Sequence, residues 1–413
     1  MDKDTTQSTF SKYLSLMPLK KISKLVRCQK LDRYIKKLKT LPFLYLMLLA
    51  QLSQAESLRK LSTEASNNDD LQKFLEIDSI SAAQLSRRLR DLPTQFLQVL
   101  FDEINQRLAR GNKRWINGEP RVNQLHIIDS STITLCLSQY RWADYRSTKA
   151  GVKVHLRLVF SDQGVYPDKA IMKPAIHSDI SQLDNLIVEE TDALVVFDRG
   201  YVDFTKWDRY CDDGIRFVSR LKDGFITEIL EERPIPGTSM VESIVLLGNP
   251  GTTQMKHPLR LIKTRDSQGN PVVIVTNDLK ISAREISDIY RHRWQIELFF
   301  KWIKQHLVIK KCYGKSEYAV YNQIWIALIA FCLLTLFQKD IAANRKLLEI
   351  QRLLLIYLFR PLEELLAQLK RVLKKSRGRR KDNNQQIFDL TVWQVESGEA
   401  EFTYRVDCEP IYL

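Results

Sequence analysis

The sequence predicts an α/β protein with an all-α N-terminal region, a mixed-sheet core carrying a mostly β insertion, and a helical C-terminal region. Three observations carry this. Apolar residues recur at helical spacing from residue 10 to 115, β-branched runs begin at residue 120, and strands then alternate with helices except across 222–280. At 413 residues the chain has room for two or three domains. Their expected bounds are 1–118 for the helical region, 119–221 with 281–340 for the core, 222–280 for the insertion and 341–413 for the C-terminal part.

In the helical region LPFLYLMLLAQLS (41–53), SLRKLSTEA (57–65) and PTQFLQVLFDEINQRLA (93–109) read as helices. Between them SISAAQLSRRLRDLP (79–93) has Ser81 as N-cap, Leu85 and Leu89 on one face, and Pro93 as its stop. Arg87, Arg88 and Arg90 are read as lying off that apolar face. The segment is either the recognition helix of a helix-turn-helix, with Arg87 and Arg88 on DNA, or an ordinary amphipathic helix of a bundle.

In the core VNQLHIIDSSTITL (122–135), VKVHLRLVFS (152–161) and VYPDKAIMKPA (165–175) read as strands. A helix, SDISQLDNLIVEE (178–190), follows, capped by Ser178 or Asp179. Then come the strand DALVVFDRGY (192–201), a helix over 203–211 and the strand IRFVSRL (215–221). Three strands, a helix, a strand and a helix is the order of a ribonuclease-H-like mixed sheet. SMVESIVLLG, HPLRLIKTR and NPVVIVTN form the insertion, and a single helix over 283–308 resumes the core. The apolar run VYNQIWIALIAFCLLTLF (320–337) is broken by Asn322, Gln323 and Thr335, so it reads as a buried helix rather than a membrane span. Helices over 342–358 and 361–375 close the chain before a polar tail.

A net charge of +14, from 63 Lys and Arg against 49 Asp and Glu, points to a polyanionic partner. The excess is concentrated: residues 1–40 hold eleven Lys/Arg against three Asp, and residues 370–381 hold eight with no acid. Both segments read as sequence-independent phosphate clamps whose binding weakens steeply with salt. Six scattered cysteines (Cys28, Cys136, Cys211, Cys312, Cys332, Cys408) argue against a disulfide scaffold or zinc ribbon. With a polar N-terminus, MDKDTTQSTF, they suggest a reducing, cytoplasmic setting. No GxxxxGK[ST] or Gly-x-Ser-x-Gly run supports ATP-driven or serine-hydrolase chemistry.

The chemistry concentrates in Tyr290-Arg-His-Arg293-Trp-Gln-Ile-Glu297-Leu-Phe-Phe-Lys301-Trp-Ile-Lys304. At about 100° per helical residue, Tyr290, Arg293, Glu297 and Lys304 fall on one strip, roughly 60° wide, with Lys301 landing at its edge. Alone, that strip is equally a solvated salt-bridge ladder, since Arg293 and Glu297 are spaced i,i+4. Asp129 and Asp198 change the weighing, because each ends an apolar strand, LHIID and LVVFD. Either aspartate alone is a turn or cap residue; together with Glu297 they form an oxygen-ligand set suited to a pair of Mg²⁺ ions. The neighbouring cations would then meet phosphate. Lys153 and His155, on the second strand, are read as sharing a face beside Asp129, while His126 and His292 show no ligand spacing.

Those residues resemble a known family, the bacterial cut-and-paste DDE transposases of the insertion-sequence-4 family. Tyr290, Arg293, Glu297 and Lys304 match its Y-x2-R-x3-E-x6-K signature. Asp198-Arg199-Gly200-Tyr201 resembles its second-aspartate motif, and Ile128-Asp129-Ser130-Ser131-Thr132 its first. The resemblance covers about residues 120–310 and extends to LDRYIKKLKTLPFLYLMLLAQLSQAESLRKL, which is similar to an accessory domain of one branch. It implies that Asp129, Asp198 and Glu297 bind two Mg²⁺ ions, with Mn²⁺ able to substitute, and that Tyr290, Arg293 and Lys304 contact DNA; Lys301, on the same helix strip, is expected to join them. It further implies end cleavage, strand transfer to target double-stranded DNA, and a homodimer holding both ends. The leucine-rich LLEIQRLLLIYL and LEELLAQLKRVL are the expected dimer surface, with intramolecular packing as the alternative. The chain departs from some relatives at the last inserted strand: PVVIVTN lacks the aromatic that holds a flipped base, which separates hairpin formation from the cleavage chemistry. Two other classes compete: a DNA-binding regulator that has lost cleavage, and a different ribonuclease-H-like nuclease such as a junction resolvase. The intact carboxylates speak against the first, and the large helical region against the second.

Overall fold

The structure is a computed structural model and describes residues 7–110, 124–161, 164–187, 193–221, 224–235, 238, 240–265 and 269–371. Most of the basic segment 370–381, and the acidic tail after it, lie outside the described residues.

The N-terminal residues fold as helices α1 (Thr9–Ser15), α2 (Leu19–Cys28), α3 (Thr40–Leu52), α4 (Leu58–Ser66), α5 (Asp69–Leu75), α6 (Ala82–Asp91) and α7 (Thr94–Ala109). Short polar side chains start several of them. Ser8, Ser57 and Asn68 each accept a backbone N–H of the first turn, and Ser81 forms the capping box with Gln84. Helix α3 is apolar on all sides and correspondingly buried. The basic N-terminal segment is anchored by its apolar residues: Phe10, Tyr13, Leu14 and Ile22 are buried, and Lys12 pairs with Asp340 at 2.7 Å. Its cations Lys20, Lys24, Arg27, Lys30, Arg33, Lys36, Lys37 and Lys39 are exposed on that scaffold.

The sheet has ten strands: β1 (Gln124–Leu135), β2 (Asp144–Arg146), β3 (Lys149–Ser161), β4 (Gly164–Pro174), β5 (Ala193–Phe197), β6 (Arg216–Arg220), β7 (Thr227–Pro234), β8 (Val241–Leu247), β9 (Leu259–Arg265) and β10 (Pro271–Thr276). Their order is β2-β3-β1-β5-β6-β10-β9-β8-β7, with β4 on β3. The β1–β5 and β5–β6 pairs are parallel and the others antiparallel, so the sheet is mixed, as expected. The inserted strands are continuous with it, because β10 pairs with β6. The insertion also holds a strand the sequence does not reveal, β7, exposed along all eight residues.

The expected helix at 178–190 is only a 3-10 turn (Asp179–Gln182) and the four-residue α8 (Leu183–Leu186); residues 188–190 lie outside the described set. Helix α9 (Phe204–Asp212) is as expected. The expected single helix over 283–308 is two, α10 (Ala283–Arg291) and α11 (Trp294–His306). Between them the ladder tightens to i→i−3 bonds: Arg293 N–H to Tyr290 O at 3.1 Å and Gln295 N–H to His292 O at 2.9 Å.

Helix α12 (Glu317–Asp340) contains the apolar run, and 89% of its most apolar 18-residue stretch is buried inside the protein. Its polar residues have internal partners, which is why they interrupt the run. Asn322 donates to Leu89 O at 2.8 Å and Leu92 O at 2.7 Å and accepts from the Thr94 hydroxyl at 2.9 Å. Gln323 donates to Val308 O at 2.7 Å and accepts the Tyr313 N–H at 2.7 Å. Helix α13 (Leu347–Ile356) buries Leu347, Leu348, Ile350 and Leu354 within the chain, while α14 (Leu362–Lys370) buries only Leu365.

One core lies on each side of the sheet. Ile127 belongs to the larger, shared with α3, α7, α11 and α12; Ile128 belongs to the smaller, shared with α8 and α9. This alternation decides which way each residue after Ile128 faces.

Candidate active site

Strands β1 and β5 run parallel with Ile128 beside Phe197, and each apolar run ends at the next residue, Asp129 or Asp198. Two parallel strands in that register deliver both carboxylates to one edge of the sheet. The Asp129 carboxylate accepts the Ser130 N–H at 2.7 Å and lies 3.9 Å from the Arg293 guanidinium. Burial, then the nearby Asp198 charge, pushes its pKa up to about 7. Asp198 caps the 3-10 turn Arg199–Tyr201, its Oδ1 accepting the Gly200 N–H at 2.7 Å. A Cβ on residue 200 would stand 2.9 Å from that oxygen, so glycine leaves the carboxylate its place.

Helix α11 brings Glu297 to the same place. Its Oε1 pairs with Arg293 Nη2 at 2.6 Å, and burial raises its pKa above the ordinary carboxylate value. Arg293 therefore touches two of the three acids. Their charges raise its pKa, led by Glu297, although burial opposes them. Tyr290, half-buried at the end of α10, has its pKa raised by burial and by the Asp198 charge. Lys304 donates to the Ser131 hydroxyl at 2.6 Å and to Thr132 O at 3.3 Å, beside Asp129 on β1; burial lowers its pKa. Lys301 and Trp294 are half-buried on α11. The strip expected of one straight helix is thus assembled from two, with the break just before Arg293.

Other expectations are corrected. Arg88 points inward: it donates to Thr40 Oγ1 at 2.7 Å, pairs with Asp32 at 3.2 Å and fastens α6 to the segment before α3. Standing three residues after Leu85, it shares the packed face, and its guanidinium is spent on internal partners rather than lying off that face as expected. Arg87 is exposed as expected, and Arg90 pairs with Asp91. Lys153 and His155 do not share the face of Asp129. In the β1–β3 register His155 opposes Ser130 and Lys153 opposes Thr132, whereas Asp129 opposes Leu156. Asp179 is no helix cap; its carboxylate reaches Ser130, Lys153 and His155 instead.

Two residues near the acids were given no active-site role from the sequence. Asp179 is one; the other is Tyr201, whose buried hydroxyl lies beside Ser130. Burial raises the Tyr201 pKa far above its ordinary value, as do the charges of Asp129, Asp179 and Asp198. Tyr201 closes the Asp-Arg-Gly-Tyr motif, which was the available signal.

The donors are hard oxygens in a site with excess negative charge, which fits a divalent cation in kind. Among the described residues no three acid, histidine or cysteine side chains are already spaced to hold one, and Glu297 is occupied by Arg293.

Comparison with known proteins defines the class. The Transposase DDE domain family matches residues 120–333, a span containing all three acids and the Tyr290, Arg293 and Lys304 positions. The chain belongs to that family. A second family, described only as a domain of unknown function (DUF4372), matches residues 5–74. The transposase assigned to insertion sequence element IS5377 of Geobacillus stearothermophilus is 27% identical over 70% of this chain and 74% of its own length. Transposase y4zB of Sinorhizobium fredii is 31% identical over 60% and 70%. The piggyBac transposase in a synaptic complex with hairpin DNA aligns at TM-score 0.45 and 12% identity, over 97% of this chain and 91% of that one. Within the family, the relatives make this chain a bacterial insertion-sequence DDE transposase.

Proposed function

We propose that this transposase binds the terminal repeats of its own insertion sequence, cleaves DNA at those ends and joins the freed 3′-hydroxyls to target DNA. Support comes chiefly from one observation: Asp129, Asp198 and Glu297 converge from two parallel strand ends and one helix, with Arg293 on two of them. The Y-x2-R-x3-E-x6-K spacing favours the insertion-sequence-4 branch, and the β1–β5–β6 order favours a ribonuclease-H-like core at 119–221 and 281–340.

Asp129, Asp198 and Glu297 are the residues that would hold two Mg²⁺ ions, or Mn²⁺ in their place. Such ions, when bound, activate an attacking oxygen and stabilise the leaving one in phosphodiester cleavage. To hold a cation Glu297 would give up its Arg293 partner, and the guanidinium would then be available to a DNA phosphate. Tyr290 and Lys304 orient the same strand, with Lys304 already steadied by Ser131. Lys301 adds a phosphate contact one turn before Lys304. The exposed cations between Lys20 and Lys39, with Arg87, track the DNA backbone away from the cut. Two copies act together, one on each end, with α14 as the less covered helix available for pairing. Work on chromosomal DNA puts the protein in the cytoplasm, at the nucleoid.

The test uses purified Asp198→Ala with DNA carrying the element's ends and Mg²⁺. Binding should persist while cleavage falls on the order of a thousandfold. Cleavage at the wild-type rate would sink the assignment. Wild-type protein that binds ends and never cuts them would instead mark a regulator.

A further inference from the structure

On the face of β1 turned away from Glu297 lies a polar cluster that the reaction scheme does not use. Its centre is Asp179, at the start of the 3-10 turn after β4. The Ser130 hydroxyl donates to Asp179 Oδ1, and Lys153 Nζ lies 3.2 Å from the same oxygen. Lys153 also donates to His177 O at 3.2 Å, which fastens the segment carrying Asp179 to β3. His155, wholly buried and opposite Ser130, places Nδ1 3.6 Å from that carboxylate. Burial pulls its pKa down to about 4, so it sits there as a neutral ring.

Ser130 has a second contact. Its backbone N–H donates to Asp129 Oδ1 at 2.7 Å. One residue thus faces both ways: the main chain orients the first acid, and the side chain is anchored by Asp179. Tyr201, three residues beyond Asp198, buries its hydroxyl beside Ser130 and among the same carboxylates, and the turns carrying Asp179 and Asp198 meet at this cluster.

We propose that Asp179 is a positioning residue for Asp129, acting through Ser130, and that it tightens divalent-cation binding without touching cation or DNA. The inference rests on the active-site reading above. Partners that orient a metal-binding carboxylate typically change metal affinity about ten- to hundredfold when removed. Lys153 serves Asp179 in turn, giving its carboxylate one fixed place rather than several.

The experiment measures Mn²⁺ binding to the full chain by calorimetry, alongside Mg²⁺-dependent end cleavage, end-DNA affinity and thermal melting. Asp179→Ala should weaken Mn²⁺ binding at least tenfold and raise the half-maximal Mg²⁺ concentration to match, with end-DNA affinity and melting near wild type. Ser130→Ala should shift both in the same direction. The double variant should be no worse than Asp179→Ala alone, because the two residues act in series. Asp179→Asn keeps an acceptor for Ser130 and should recover most of the loss; it also serves if Asp179→Ala folds poorly. Wild-type Mn²⁺ affinity in Asp179→Ala, or fully additive losses in the double variant, would overturn the proposal while the active-site reading stands. If Asp129→Ala binds Mn²⁺ as tightly as wild type, the active-site reading itself fails.

Discussion

Strands β5 and β7 belong to one hydrogen-bonded sheet and are built on opposite terms. In β5, ALVVF, all five residues are buried; in β7, TEILEERP, all eight are exposed. Strand β5 is covered on both faces, so its end is fixed in three dimensions and can hold Asp198 in place. Strand β7 pairs along one edge with β8 and has no side chain buried by the described residues. The contrast teaches where a transposase of this design keeps its rigidity: at the centre, where the acids emerge, and not in the insertion's outer edge.

The largest effect that sharpens this contrast is on Phe197, the last residue of β5. It packs 5.8 Å from Phe217 and 6.1 Å from both Tyr201 and Trp207, measured between ring centroids. Phe197→Ala should cost about 3–5 kcal/mol in denaturant unfolding. A loss under about 1 kcal/mol would show that β5 is not the anchor.

Next comes Gly200→Ala. The added Cβ would displace the Asp198 carboxylate rather than backbone, so melting should hold while end cleavage drops about a hundredfold. Unchanged cleavage would mean that this turn does not aim the acid.

A third effect concerns pH. His126 in β1 and His155 in β3 are buried, and burial lowers each pKa to about 4. An unfolded imidazole titrates near 6.5, so below that pH the unfolded chain takes up protons that the folded one refuses. Stability is therefore retained above pH 6.5 and declines as pH falls toward 4. Each histidine should cost about 2 kcal/mol between pH 7 and 5. Denaturant melts at the two values check this: His126→Gln should remove about half of their combined contribution, and an unaltered pH dependence would contradict it.

The smallest expected change is Ile229→Thr in β7, half-exposed at 51%. It should stay within about 0.5 kcal/mol, and a larger loss in the same melts would break the contrast between centre and edge.

Burial also explains what could be read in advance. Strands β1, β3, β4 and β5 lie within a few residues of their expected places because each has a covered face that imprints an apolar pattern. Strand β7 has no such face, and its sequence carries no period to read. The three acids were legible because two end apolar runs and the third falls at a fixed spacing from arginine and lysine. Asp179 was not, since its partner Ser130 lies 49 residues away and the contact depends on the β1–β3 register. Arg88 misled for a related reason: a buried arginine with an internal carboxylate partner cannot be told from an exposed one by residue type. The break before Arg293 has no proline or glycine to announce it.

Helix α12 is a party wall. It touches α3, α6 and α7 of the helical region as well as α11 and β4 of the core, and Asn322 has three of its bonds with α6, α7 and the loop between them. The start of the family match near residue 120 is therefore not a mechanical boundary. A fragment beginning past Arg110 would strip that wall on one side, leaving leucines and an amide facing water. Such a piece should collect in inclusion bodies even though it retains all three acids of the candidate site.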